Sequence, residues 1–119
     1  GLLVRYGGPE AFEPGPARLP VRVTKLGGVA GPVTVTFRLT AGSASQTLIR
    51  TYDLEPGFWF DDALDFDLPD GSAELTAEAT GLSLTWEGPG PLLIAPVTRV
   101  AMNVTPAVSS SKTRSARRR

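Results

Sequence analysis

Between Pro32 and Thr40 every second residue is apolar: Val33, Val35, Phe37 and Leu39 alternate with Thr34, Thr36, Arg38 and Thr40. A period of two sustained over that length fits a β-strand with one buried and one wet face. Similar runs occur at Leu2–Tyr6, Leu19–Leu26, Gln46–Leu54, Phe58–Leu68, Ser72–Thr80, Leu82–Glu87 and Leu92–Val104, the last bent at Pro96. The breaks between runs hold turn chemistry, as at Gly27–Pro32, Ala41–Ser45, Glu55-Pro56-Gly57, Pro69-Asp70-Gly71 and Gly88-Pro89-Gly90-Pro91. Pro14-Gly15-Pro16 predicts that Glu10–Pro16 is loop. Ala73–Ala79 has a helix-forming composition, but it is too short to nucleate alone, and its alternation predicts a strand. About seven to eight closely spaced strands predict an all-β sandwich or small barrel. The expected core is Val21, Val23, Val33, Val35, Phe37, Leu39, Leu64, Phe66, Leu75, Leu82, Leu84 and Trp86.

With 119 residues the chain is long enough for one domain with a core, here 1–108, followed by a tail, 109–119. There is no Cys, which removes disulfides and thiolate metal sites, and no His, the commonest general base and transition-metal ligand. No apolar run approaches the roughly eighteen residues of a membrane span. Leu2–Tyr6 is too short for a signal peptide, and Gly1 fits a removed initiator Met or a processed fragment equally well. The formal charge is zero, yet Lys112, Arg114, Arg117, Arg118 and Arg119 crowd the last eight residues while all twelve acids lie before them. The body is therefore acidic and the tail basic. Only Lys25 and Lys112 accompany ten Arg, a balance that suggests a GC-rich or thermophilic source.

Three stretches carry a family resemblance: Gly28-Val29-Ala30-Gly31-Pro32-Val33-Thr34-Val35-Thr36-Phe37, Leu54-Glu55-Pro56-Gly57, and Leu68-Pro69-Asp70-Gly71-Ser72-Ala73-Glu74-Leu75-Thr76-Ala77-Glu78-Ala79. They resemble a strand, a turn and a loop-to-strand passage of bacterial cell-adhesion-related immunoglobulin-like modules, across residues 19–86. The resemblance implies an immunoglobulin-like antiparallel β-sandwich used for adhesion, display or spacing, with no catalytic residues to carry over. Such sandwiches also serve as accessory modules of phage particles.

Among polar clusters, Asp61, Asp62, Asp65, Asp67 and Asp70 offer a candidate Ca²⁺ set. Against it, Leu64, Phe66 and Leu68 alternate with Asp65 and Asp67, which predicts a strand with its acids in water. Such an acidic edge also discourages unwanted strand pairing. In Phe58-Trp59-Phe60, Phe58 and Phe60 are expected to share one face and Trp59 to take the other, making Trp59 or Phe60 a candidate partner contact. The basic tail residues Lys112, Arg114, Arg117, Arg118 and Arg119 are expected to lie on a neighbouring subunit, with nucleic acid as the second choice. Leu2–Tyr6 is expected to be a strand of its own sandwich rather than one donated to a neighbour.

No catalytic constellation and no cofactor motif stand out, so a non-enzyme without cofactors is expected. The first expectation is a structural subunit of a large assembly, an accessory or decoration protein of a phage virion, bound to copies of itself or to other structural proteins. The alternatives are an extracellular adhesion or spacer module of a bacterial surface protein, and a carbohydrate-binding module using Trp59.

Overall fold

The computed structural model describes residues 1–8 and 12–88 and the backbone of 92–94. Eight strands are present among them: β1 (Leu2–Tyr6), β2 (Gly15–Lys25), β3 (Gly31–Ala41), β4 (Ala44–Leu54), β5 (Trp59–Leu68), β6 (Ala73–Ala79), β7 (Leu84–Glu87) and β8 (Leu92–Ile94). They form two four-stranded sheets, ordered β5-β2-β1-β7 and β4-β3-β6-β8. Pairing is antiparallel throughout, except that β1 runs parallel to β7, Leu2 against Leu84 through Arg5 against Glu87. The described residues are thus all-β, a sandwich with a core between its two sheets. β1 is an internal strand of its own chain's sheet, flanked by β2 and β7.

Two glycines fix the path around β4. Gly42 (φ +63°) opens the two-residue loop between Ala41 and Ala44, and Ser43 keeps a negative φ. A left-handed first loop residue followed by a right-handed second one is the type II′ hairpin, whose twist matches its strands. The expected Ala41–Ser45 loop is therefore shorter than predicted, because the hairpin keeps pairing up to the turn. At the other end, Phe58 N donates to Glu55 O at 3.0 Å around Pro56 and Gly57 (φ +86°), a type II turn with Pro and Gly at the positions that need them.

β2 begins inside the predicted Glu10–Pro16 loop: Gly15 pairs with Leu68 and Pro16 with Asp67. β1 covers β2 only from Val21 to Lys25, so among the described residues no strand lies on the β1 side of Pro16 and Pro20 to need their missing N–H, while β5 pairs with both on the other side. Of the described β8 region, Leu92–Ile94 is strand; the rest of the predicted Leu92–Val104 strand and the tail 109–119 lie outside the described residues.

The core holds Val21, Val23, Val33, Val35, Phe37, Leu39, Leu64, Phe66 and Leu75 as expected, joined by Leu2, Val4, Tyr6, Leu19, Tyr52, Leu54, Leu68 and Ala73. Phe37 is the largest of its fully buried side chains. Leu82, Leu84 and Trp86 depart from expectation: they are only half-buried against the core's flank. β7 sits at the sheet edge beyond β1, so its inner side chains are covered from one side alone. The Trp86 indole N–H, though buried, has no acceptor among the described residues.

Candidate functional site

One end of the sandwich gathers exposed apolar side chains. There the β2–β3 loop carries Leu26 and Val29, and the turn into β5 carries Phe58, followed by Trp59; all four are more than half exposed. Main-chain bonds hold these segments together: Lys25 N donates to Phe58 O at 3.1 Å, Gly57 N to Lys25 O at 2.8 Å, and Leu26 N to Gly1 O at 3.0 Å. The buried Lys25 ammonium donates to Val29 O and so anchors the loop from inside. Leaving several large apolar groups in water at one place forgoes burial energy that a contact there would recover.

Of the two aromatic candidates Trp59 is the outward one, with the Arg22 guanidinium 4.9 Å from its ring centroid. Arg22 in turn grips Asp61 through two bonds, 2.7 and 3.1 Å, and this hydrogen bonding pushes the guanidinium's pKa up. Arginine is thus held over the indole by a fork geometry that lysine lacks. Phe60 does not join Trp59. It turns inward, half-buried, its ring 5.6 Å from that of Tyr52. Nor does Phe58 share its face, because closing the type II turn takes Phe58 out of the strand's alternation and leaves it exposed.

The five aspartates take different roles. Asp61 and Asp65 lie across from Arg22 and Arg18 on β2 and pair with them at 2.7 and 3.0 Å. Asp62 faces inward, its side chain 6% exposed, where it accepts from Tyr52 Oη (2.7 Å) and from the Ala63 amide (2.8 Å) and forms an ion pair with Arg50 (3.4 Å). Burial, then this bond to Asp62, push the Tyr52 phenol up. Asp67 offers its main chain to Gln46, which accepts from Asp67 N (2.9 Å) and donates to Asp67 O (2.6 Å). Asp70 is exposed beyond the strand end. Among the described residues no group of three or more acids is placed to hold a metal ion. The picture of acids simply in water is corrected at Asp62, which shares its strand face with Phe60 and Leu64.

Between the edges of β4 and β5 runs a groove of about 390 Å³, lined on its floor by Tyr52 and Phe60 and on its rims by Arg50, Asp53 and Asp62. The tail residues Lys112, Arg114, Arg117, Arg118 and Arg119 lie outside the described residues. Leu26, Val29 and Phe58 escaped the sequence reading. Their only local signal is an apolar residue beside glycine in a turn, and only the β2–β5 pairing brings them together.

No protein-family model matches this chain, and no curated protein matches it in sequence.

Proposed function

We propose that the chain is a non-enzymatic structural subunit with an immunoglobulin-like arrangement of strands, which holds its neighbours in a large assembly through the apolar end around Trp59. A virion accessory protein is the setting we favour. The observation that carries the reading is the cluster of Leu26, Val29, Phe58 and Trp59, exposed together at one end of the scaffold. Aromatic groups on a rigid frame lose little entropy on docking and make effective anchors. The strand orders β5-β2-β1 and β4-β3-β6-β8 support the immunoglobulin-like part, as does the sequence likeness across residues 19–86. The segregation of a basic tail from an acidic body supports attachment between subunits.

Native mass spectrometry and negative-stain imaging of the full chain test the reading. Assembled species that disperse in the double variant Phe58→Ser, Trp59→Ser support it. Unchanged assembly in that variant, or turnover of a substrate, overturns it. Glycan binding lost in Trp59→Ala would instead favour the carbohydrate-binding alternative, for which the Trp59 ring beside Arg22 and Asp61 is the relevant feature.

A further inference from the structure

The two edge strands on the groove side are treated differently. On β5 the outward main chain is guarded. The Ala63 amide is taken by Asp62, and both polar groups of Asp67 are taken by the Gln46 amide. These guards reach across from β4, as Gln46 does, or fold back from β5 itself, as Asp62 does. Guarding of this kind blocks sheet extension.

β4 has no such cover in its sequence. It is 11 residues long, as long as any strand in the chain, with no Pro or Lys. The hairpin closes with Ala44 paired to Ala41, so Gln46, Leu48, Arg50, Tyr52 and Leu54 bond to β3. The main chains of Ser45, Thr47, Ile49, Thr51 and Asp53 then point away from the sheet. The Thr34–Thr51 hydroxyl contact of 3.1 Å agrees, since close side-chain approach belongs to the pairs that share no main-chain bond. The outer face of β4 is uncharged from Ser45 to Thr51, and at its centre stands Ile49, 63% exposed.

We infer that β4 pairs antiparallel with β4 of a second copy, centred on Ile49, joining the two β4-β3-β6-β8 sheets into one. Ile49 is the midpoint of Ala44–Leu54, so this register overlaps the whole strand. It sets Ile49 against Ile49, Thr47 against Thr51 and Ser45 against Asp53, so that all five outward main chains exchange bonds with one another. On the inner side Arg50 meets Leu48 and Gln46 meets Tyr52. Moving the centre to Arg50 would set two guanidinium groups opposite each other, a repulsive arrangement. The charge pattern and the strand's length therefore select the same register. Pairing through β4 goes beyond the reading of the apolar end and leaves that end free, so either can fail alone.

Sedimentation velocity of the full chain, from about 1 μM to about 1 mM, reads the association. The expected result is a shift from 12.6 kDa towards twice that mass, absent in Ile49→Lys. A second measurement fixes the register. The chain has no Cys, so under mild oxidation Ile49→Cys should cross-link to itself, its two Cα atoms falling within disulfide range. Ser45→Cys should not, because two copies of it would stand about 27 Å apart. A monomer at every concentration, a dimer that survives Ile49→Lys, or equal cross-linking at both positions overturns the inference. Loss of the dimer in Phe58→Ser, Trp59→Ser but not in Ile49→Lys would place association at the apolar end instead, and also overturns it.

Discussion

Replacing Asp62 by Ala removes the carboxylate on which three groups converge, two as hydrogen-bond donors and Arg50 as an ion-pair partner. Two of them are buried: the Tyr52 hydroxyl, on a residue 5% exposed, and the amide of Ala63, 8% exposed. Each buried donor left without an acceptor costs about 1–3 kcal/mol. Arg50, with 28% of its side chain exposed, turns to water at little cost. Asp62→Ala should therefore destabilise by about 3 kcal/mol, a large fraction of what a domain of this size has. Tyr52→Phe removes one donor and leaves Asp62 with the Ala63 amide and the Arg50 ion pair, so it should cost only about 1 kcal/mol. The sharper expectation is for the double variant. Once Asp62 is gone, the Tyr52 hydroxyl is a liability, so Tyr52→Phe in that background should be neutral or stabilising. Urea unfolding followed by fluorescence and circular dichroism measures all four proteins, and a shift in midpoint at constant slope reports the change in stability. If Tyr52→Phe costs the same with and without Asp62, the cluster does not act as a unit and the reasoning is wrong.

Burial of Tyr6, and burial with the Asp62 bond at Tyr52, hold both phenols above their ordinary value of 10.0 in the folded state. Above that pH the unfolded chain releases protons that the native state keeps, so stability should be constant below it and fall as pH rises past it, by up to about 1.4 kcal/mol per pH unit for each tyrosine. Urea midpoints across that range check this, and Tyr52→Phe should flatten the decline. Gly42→Val places a β-branched residue at φ +63° and should cost about 1–2 kcal/mol by thermal unfolding; an unchanged midpoint would mean that the hairpin turns differently.

What the sequence reveals and what it conceals divide along a physical line. Alternation is local, so the strands that bear Val33, Val35 and Phe37 are visible in it, as are the turns built on Gly42 and Gly57. Neighbours across a sheet are not local. Nothing near Pro16 announces that β1 stops short of it along β2, and nothing near Trp86 announces that β7 takes the outer place beside β1. Asp62 was legible in part. It shares parity with Phe60 and Leu64, yet its setting among other aspartates hides it as one more solvated acid. The apolar end is the hardest case, because Leu26 and Phe58 lie far apart in sequence and meet only when β2 takes β5 as its partner.

The parallel ladder between β1 and β7 has a mechanical consequence. Leu2 lies beside Leu84 and Arg5 beside Glu87, so a pull applied before Leu2 and after Glu87 draws the two strands along each other in opposite directions. Their hydrogen bonds then carry the load together in shear rather than opening one by one like a zipper, and the Arg5–Glu87 ion pair at 2.7 Å lies across the same seam. A load applied at those two points would therefore be resisted along the whole seam at once.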